Sequence, residues 1–506
     1  MYNVSYSRLG GFRMANLKYS WYDSKNPKSI EKYAQRLIGY TFQDIEDLYY
    51  STHHKLSESE DTYGNVSRKG GLGNLIEEHY FGYKANSDSE PDFPEAGVEL
   101  KQTPYEYRRD GSLRAGERVV LTMISYNEPV ELEFEKSHLW HKCKLILFVF
   151  YWRNRALMDN MLYKIGYAKL FTPPKEDLII IKSDYKVIIE KITKGMAHEL
   201  SESDTLYLGA CTKGATAEKS IVQQFYFPYT PARKRAFCYK QSYVTYILNQ
   251  YIVKDKNTYE PIIKDISVLD NNTFKEYIYS LINRYVGITD KELCSDFGRE
   301  YNNNKAQWTD LTYRMLGIKS NRAEEFQKAN IVVKVIRIEQ NGKITESMSL
   351  PPFKFKELIT EEWEDSTLHN YFDETSFLFV VFKSDGANYV LKGCQLWNMP
   401  YTDLNEIVMR GWEKIKQVII DGVVLEPIVT GSGIVIRNNF PKKADNEIIH
   451  IRPHAQKRYY EFKDGTIIGD GTKSHSNQLP DGRWMPNQSF WINNSYILSQ
   501  LKENLK

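Results

Sequence analysis

The chain has 506 residues, enough for roughly two to four domains of ordinary size. Hydrophobic residues make up 42% and charged residues 26%, the balance of a globular protein with a buried core. A net charge of +2 excludes a histone-like excess of basic residues but allows a local basic cleft. The five cysteines include no C-x-x-C pair, so a disulfide framework is not expected and a reducing cytoplasm is the simplest setting.

No segment of the sequence is long and apolar enough to span a membrane. Residues 1–20 contain no apolar targeting segment, and the longest apolar run, at 145–152, suits a buried strand. We therefore expect a soluble cytoplasmic protein without a membrane partner.

The first predicted helices lie at 31–45, where an amphipathic stretch ends in a glycine turn, and at 72–81. In the second stretch the apolar residues recur at spacings of three and four. They are Leu72, Leu75, Ile76, Tyr80 and Phe81. Gly82 is expected to end this helix, which also carries Glu77 one turn after Gly73.

A strand is predicted at 97–103. Side chains two residues apart share one face of a strand, so Glu99 and Lys101 should point the same way, and Val98 and Leu100 the other way. Asp92 lies just before the strand, where a hairpin-like turn can fold it back beside Glu99.

Two carboxylates with a lysine on one face form a minimal phosphodiesterase site. The carboxylates offer oxygen ligands to Mg²⁺, and a bound metal polarises a phosphoryl oxygen and lowers the pKa of a bound water. The lysine can orient the nucleophile and offset charge developing at phosphorus. A Glu-x-Lys pair on a strand can equally be a solvated ion pair, and this alternative stays open on the pattern alone.

The sequence also matches itself at four places in the same order. The matched segments are 31–45 with 276–293, 92–101 with 325–334, 145–150 with 377–382, and 237–244 with 490–497. In the first match Gly39 corresponds to Gly287 and Thr41 to Thr289. Shifting offsets between ordered matches are typical of loop insertions in a duplicated unit of about 220 residues.

The two copies differ at the predicted site. Asp92 corresponds to Glu325, Glu99 to Val332 and Lys101 to Lys334, a pattern that indicates one working site and one inactive copy. The coarse order of helices and strands predicts an α/β (α+β) fold with mixed sheets flanked by helices. The predicted boundaries are an arm at 1–30, a catalytic domain at 31–252, a linker at 253–270 and a degenerate domain at 271–506.

The motifs KGGLGNLIE (69–77), DFPEAGVELK (92–101) and SHLWHK (137–142) resemble the MutH family of mismatch-repair nicking endonucleases. The doubled length with a degenerate second copy is similar to the Sau-type restriction endonucleases, which cut at GATC. The resemblance implies two tandem restriction-endonuclease-like PD-(D/E)XK domains. It assigns catalysis to Asp92, Glu99 and Lys101, with Glu77 as a supporting, metal-binding carboxylate and Lys142 as a further active-site lysine.

The same resemblance implies an activity and partners. It implies a Mg²⁺-dependent type II restriction endonuclease that cuts both strands of duplex DNA at GATC and leaves 5′-phosphates. The second domain would bind another DNA site as an allosteric effector, and a DNA methyltransferase would belong to the same system. One active site per chain implies either a DNA-induced homodimer or two sequential nicks.

The DNA-reading loop departs from the family's Arg-Pro-Lys pattern. The first copy keeps only its lysine, Lys213, and the second copy keeps Arg-Pro at 452–453, followed by a histidine. Basic residues that can neutralise phosphates and an asparagine that can read an adenine edge complete the expected DNA contacts. These residues are Lys213, Arg233, Lys234, Arg235, Lys240, Arg452, His454 and Asn493.

Two alternatives remain at this stage. A MutH-type nicking enzyme would cut one strand and need a partner protein, and the inactive duplicate argues mildly against it. A non-catalytic DNA-binding protein would not need the intact set of Asp92, Glu99 and Lys101.

Overall fold

The chain forms two compact units in the computed structural model. The first comprises Met1–Thr258 with Gln327–Ala329, and the second comprises Tyr259–Phe326 with Asn330–Lys506. The structure describes residues 22–52, 71–84, 89–108, 110–213, 220–254, 259–302, 304–320, 322–431 and 433–506. Most of the predicted arm (1–21), Lys69 and Gly70 of the glycine-rich motif, and residues 255–258 of the predicted linker lie outside the described residues.

The helices of the first unit lie before, between and after its strands. They are α1 (Pro27–Ala34), α2 (Phe42–Thr52), α3 (Gly71–Leu75), α4 (His138–Cys143), α5 (Lys175–Thr193) and α6 (Gln241–Tyr246). Helices α3 and α6 continue as π-helical turns at Ile76–Phe81 and Ile247–Val253. Because α1 begins at Pro27, residues 27–30 of the predicted arm are helical.

The predicted helix over 72–81 and its end are confirmed. The backbone of Gly82 has φ +77°, in the left-handed region that favours glycine, and this ends the π-helical turn. Leu75, Ile76 and Phe81 on this helix pack with Val98 and Leu100 in one apolar core. The helix that carries Glu77 is thereby attached to the strand that carries Glu99.

The strands of the first unit form two main sheets and a short ribbon. They are β1 (Glu99–Tyr107), β2 (Leu113–Ala115), β3 (Val119–Ile124), β4 (Ile146–Trp152), β5 (Lys164–Phe171), β6 (Leu208–Thr212), β7 (Ile221–Val222), β8 (Ala232–Arg233) and β9 (Arg235–Tyr239). The first sheet has the order β2-β1-β4-β5, in which β1 and β4 are parallel and the other pairs antiparallel. The second sheet, β3-β9-β6, is antiparallel, and β7 pairs with β8.

The second unit begins within the predicted linker, since residues 259–270 belong to it. Its helices are α7 (Phe274–Asn283), α8 (Asp290–Asp296), α9 (Ala306–Met315), α10 (Glu324–Ala329), α11 (Phe355–Leu358), α12 (Thr367–Glu374), α13 (Met409–Asp421) and α14 (Asn494–Gln500). The last three residues of α10, Gln327–Ala329, are assigned to the first unit. A π-helical turn at Asp403–Val408 leads into α13, and a 3₁₀ turn lies at Ile266–Leu269 in the predicted linker.

In the part of the second unit that the structure describes, the strands form four sheets. They are β10 (Ile331–Ile338), β11 (Met348–Phe353), β12 (Ser376–Ser384), β13 (Tyr389–Trp397), β14 (Leu425–Thr430), β15 (Gly433–Asn438), β16 (Ile449–Pro453), β17 (Tyr459–Glu461), β18 (Ile467–Gly469), β19 (Ser476–Gln478), β20 (Trp484–Pro486) and β21 (Gln488–Ile492). The sheet orders are β10-β12-β13, β11-β21-β16, β14-β15 and β18-β17-β20-β19. The predicted α/β class with mixed sheets is confirmed.

The two units share their internal strand order. In each, a parallel pair (β1 with β4, β10 with β12) is extended by an antiparallel third strand, β5 or β13. The glycines of the first sequence match also make the same contact: Gly39 donates to the Ile165 carbonyl at 2.8 Å, and Gly287 to the Leu391 carbonyl at 2.9 Å. Both glycines have φ near +90°.

Strand register changes one detail of the predicted repeat. Lys101 lies opposite Phe148 on β4, and Lys334 lies opposite Phe379 on β12. Position 148 therefore corresponds to 379, whereas the apolar sequence match pairs it with 380. Two uninterrupted apolar strands can be aligned one residue apart, and the hydrogen-bond ladder removes that ambiguity.

A search of the described residues for membrane-spanning helices finds no helix with the length and apolarity required.

Candidate active site and nucleic-acid interface

A tight turn brings Asp92 back to the start of β1. Phe93 N–H donates to the Val98 carbonyl at 2.9 Å, and Val98 N–H donates back to the Phe93 carbonyl at 3.2 Å. Gly97 closes the turn with φ +63°, a backbone conformation that L side chains rarely adopt. The turn thus positions residue 92 beside residues 99 and 100.

Two hydrogen bonds to backbone N–H groups hold the Asp92 and Glu99 carboxylates. The Asp92 Oδ2 accepts from Leu100 N–H at 2.8 Å, and Glu99 Oε2 accepts from Asp92 N–H at 3.2 Å. Neither bond uses Oδ1 of Asp92 or Oε1 of Glu99. The two bonds fix both carboxylates at the head of β1, which pre-organises them as ligands for a hard cation.

Two lysines face the buried Glu99 side chain, which is 2% exposed. Lys101 Nζ lies 2.6 Å from Glu99 Oε1, and Lys142 Nζ, from α4, lies 3.7 Å from the same oxygen. Although burial opposes it, the Glu99 carboxylate raises the pKa of Lys101 above its usual value. The Glu99 carboxylate therefore favours the charged form of Lys101.

Helix α3 and its π-helical continuation add a third carboxylate, Glu77. Burial, followed by repulsion from Asp92, raises the pKa of Glu77 to about 7, and Lys101 only partly offsets this. Burial and the Asp92 charge also raise the pKa of Glu99. The structure thus brings together residues from β1, the turn before it, α4 and the π-helical continuation of α3: Asp92, Glu99, Lys101, Lys142 and Glu77.

Asp92 and Glu99 fit a divalent cation as a pair of neighbouring carboxylates, and Glu77 interacts with both electrostatically. Carboxylates that repel one another are stabilised as anions when a cation joins them. The hydroxyl of Tyr83 is buried, and within the described residues it has no hydrogen-bond partner, although Asp92, Glu77 and Glu99 all act on it electrostatically. A hydrated metal among these groups would provide that hydroxyl with a partner.

Tyr83 is a site residue that the sequence reasoning missed. The signal available in the sequence was its place directly after Gly82, which ends the helix carrying Glu77. Gln102 was missed as well: its Nε2 donates to the Gly73 carbonyl at 2.8 Å and joins β1 to α3. Neither residue belongs to a motif with an obvious chemical role, so periodicity could not single them out.

Three of the predicted DNA contacts of the first unit lie together at strand ends. Lys213 N–H donates to the Lys234 carbonyl at 2.8 Å, which places these two basic residues side by side. The Lys234 side chain is exposed, and Lys213 and Arg233 are partly exposed. The three form a local basic patch that is compatible with contact to phosphates.

Two other predicted DNA contacts need correction. Arg235 is 3% exposed and its guanidinium donates to the Ala210 carbonyl at 2.6 Å. Lys240 is 1% exposed and donates to the Thr205 carbonyl. Both cations satisfy backbone carbonyls inside the unit, so neither is available to a phosphate.

The predicted DNA contacts of the second unit likewise include both exposed and buried side chains. Arg452 and His454 are exposed, and the Arg452 guanidinium lies 5.0 Å from the centre of the Trp491 ring. Asn493 is 2% exposed, with Oδ1 2.6 Å from His450 Nδ1 and Nδ2 donating to the Asn446 carbonyl. The prediction that Asn493 reads a base edge is therefore wrong, because both ends of its amide are already bonded inside the unit.

The second unit has no counterpart of the carboxylate pair at the matched positions. Glu325 is 5% exposed and accepts from the backbone N–H groups of Ile262 and Ile263, each at 2.9 Å. Val332 occupies the position of Glu99. Burial lowers the pKa of Lys334, which contacts the Ser349 carbonyl at 3.4 Å and, within the described residues, forms no ion pair.

Comparison with known proteins places this geometry in a class. The family model of the DNA mismatch repair enzyme MutH matches residues 81–184, the segment that carries Asp92, Glu99, Lys101 and Lys142. The MutH proteins of Shewanella woodyi and of a Shigella boydii strain are similar at 29% and 27% identity, over 39% and 37% of this chain and 80% and 75% of theirs. A mixed sheet whose first strand presents a glutamate and a lysine, beside an aspartate from the preceding turn, is thus that of an endonuclease with the restriction-endonuclease-like fold.

A further relative extends the similarity across both units. The type II restriction enzyme Sau3AI of Staphylococcus aureus is 36% identical over 460 residues, which cover 85% of this chain and 91% of the relative. The chain belongs to the Sau3AI family of type II restriction endonucleases.

Proposed function

We propose that the chain is a Mg²⁺-dependent endonuclease that cuts both strands of duplex DNA at GATC and leaves 5′-phosphates. The observation that carries the proposal is the convergence of Asp92, Glu99 and Lys101 at one end of β1. The GATC sequence and the cut ends rest on the resemblance to Sau-type enzymes. Similarity to Sau3AI over most of the chain supports them.

The roles of the residues follow from their charges and positions. Asp92 and Glu99 would hold Mg²⁺, with Glu77 as a further ligand or as an acceptor for a bound water. The metal would polarise the phosphoryl oxygen and lower the pKa of the attacking water. Lys101 orients that water and offsets the negative charge that develops at phosphorus. Lys142 adds a second positive charge on the Glu99 side of the site.

The second unit is proposed to be a MutH-like domain that binds DNA without cutting it. Its strand order and its Gly287 contact match those of the first unit, which supports a duplicated domain. Glu325 bonds to backbone N–H groups and Val332 offers no ligand, which supports the absence of catalysis. The exposed Arg452 and His454 support contact with DNA, and we propose that this second site acts as an allosteric effector.

The remaining partners follow from the same proposal. In the first unit we keep Lys213, Arg233 and Lys234 as phosphate contacts and exclude the buried Arg235 and Lys240. A single active site per chain would cut a duplex through a DNA-induced homodimer or through two successive nicks. A cytoplasmic location and a methyltransferase that protects the host DNA complete the proposed restriction system.

Digestion of a plasmid of known sequence tests the proposal. With Mg²⁺ the protein should convert the plasmid to fragments whose sequenced ends all begin at GATC, and EDTA or Asp92→Ala should abolish cutting. A product that stays nicked would instead favour a MutH-type strand-nicking enzyme. Binding without cleavage under the same conditions would favour a non-catalytic DNA-binding protein and would overturn the proposal.

A further inference from the structure

Tyr83 sits where the helix carrying Glu77 meets the turn carrying Asp92. Its backbone N–H donates to the Glu77 carbonyl at 3.1 Å. Its ring packs edge-to-face on Phe93, with ring centres 5.3 Å apart, and Phe93 directly follows Asp92. The Tyr83 backbone is thus bonded to Glu77, one predicted metal ligand, and its ring contacts the residue that follows Asp92, another.

The hydroxyl of this tyrosine is buried and has no hydrogen-bond partner within the described residues. Burial, then the charges of Asp92, Glu77 and Glu99, raise the pKa of Tyr83 far above its usual value, so the phenol keeps its proton. The hydroxyl can both donate and accept a hydrogen bond, and within the described residues it does neither, although the charges of three carboxylates act on it.

The hydroxyls of neighbouring tyrosines in the same aromatic cluster do have hydrogen-bond partners. The Tyr22 hydroxyl donates to the Phe81 carbonyl at 2.9 Å, and the Tyr80 hydroxyl donates to the Tyr33 carbonyl at 2.8 Å. Their hydroxyls complete the packing of the core, as buried polar groups normally do. A phenylalanine at position 83 would make the same ring contacts, so packing does not explain the hydroxyl.

We propose that Tyr83 is a positioning residue for the divalent cation, its hydroxyl oxygen accepting a hydrogen bond from a water molecule bound to that cation. The inference rests on the proposed Mg²⁺ dependence and adds a residue to it. Mg²⁺ usually keeps several water ligands, and donors and acceptors around those waters orient the metal. A neutral phenol suits this role better than a direct ligand position, which Mg²⁺ fills with charged oxygens.

The test is Tyr83→Phe in the full chain, with Tyr126→Phe as a matched control. The Tyr126 hydroxyl is equally buried and also has no partner within the described residues, but it lies beside Arg235 rather than beside carboxylates. Mg²⁺ binding is measured by calorimetry without DNA and by the rise in melting temperature with MgCl₂. The half-saturating Mg²⁺ concentration for cleavage is measured separately.

We expect Tyr83→Phe to weaken Mg²⁺ binding by about three- to tenfold, as loss of one hydrogen bond does, and to raise the half-saturating concentration in parallel. Tyr126→Phe should leave both unchanged, and the metal-free melting temperatures of the variants should stay close to that of the parent. Unchanged Mg²⁺ binding in Tyr83→Phe, with normal binding by the parent protein, would overturn the role of Tyr83 alone. Absence of Mg²⁺ binding and Mg²⁺-dependent cleavage in the parent protein would overturn the proposed metal dependence first, and this inference with it.

Discussion

The two units use equivalent strands, β1 in the first unit and β10 in the second, for different purposes. In the first, β1 presents Glu99 and Lys101 beside Asp92, and the three charged groups are held together by short contacts. In the second, β10 presents Val332 and Lys334, and Glu325 is bonded to two backbone N–H groups. A carboxylate that caps backbone groups contributes to folding, whereas clustered carboxylates cost stability and prepare a site for a cation.

The largest expected difference between the units is catalytic. Asp92→Ala should lower the cleavage rate about a thousandfold and Lys101→Ala about a hundredfold, because each removes a group that stabilises charge in the transition state. Lys334→Ala, the matched change in the second unit, should leave the rate within about twofold. Initial rates on a short duplex with one GATC site measure this. Comparable losses from Lys101→Ala and Lys334→Ala would mean that both units take part in the chemistry.

The second prediction concerns stability. Glu325→Ala removes the acceptor of the Ile262 and Ile263 N–H groups, and the loss should cost about 2–4 kcal/mol of unfolding free energy. Glu346→Ala, which removes an exposed ion pair with Lys305 in the same unit, should cost under about 1 kcal/mol. Denaturant unfolding gives both values. If Glu325→Ala is as mild as the control, the structural role assigned to Glu325 fails.

The third prediction is a pH dependence that belongs to the first unit. Because the folded protein raises the pKa of Glu77 from 4.5 to about 7, it binds this proton more tightly than the unfolded chain does. The associated stability is present below about pH 4.5 and is lost as the pH rises through about 7. In EDTA, Glu77→Gln should therefore be more stable than the parent by about 1–2 kcal/mol at pH 8, with little difference at pH 5. Melting curves at both pH values check this, and an equal difference at both would exclude titration of Glu77 as its cause.

The smallest expected effect is a difference in unfolding free energy between variants of the two matched lysines, Lys101 and Lys334. Lys334→Met should be neutral or stabilising by under about 1 kcal/mol, because burial opposes its charge and it has no ion-pair partner within the described residues. Lys101→Met should destabilise the metal-free protein by about the same amount, since the buried Glu99 loses its nearer cation. Opposite signs in denaturant unfolding support the comparison, and equal signs would contradict it.

The active-site framework was predictable because it depends on local geometry. The helix ending at Gly82 follows from spacings of three and four, and the shared direction of Glu99 and Lys101 follows from the two-residue period of a strand. The position of Asp92 required only a tight turn of a few residues. These relations involve residues within about ten positions of one another, so the order of residue types is enough to predict them.

The sequence by itself determined the α/β class, the first strand and its charged pair, and the position of the glycine that ends the Glu77 helix. Only the tertiary structure decided which polar side chains are available for function. Arg235, Lys240 and Asn493 are residue types that commonly contact DNA. Each is buried here and bonded to a backbone carbonyl up to 47 residues away in the sequence. The carboxylates act electrostatically on the Tyr83 hydroxyl only because helix, turn and strand pack together. Burial is a property of the assembled core, and the chemical type of a residue does not specify it.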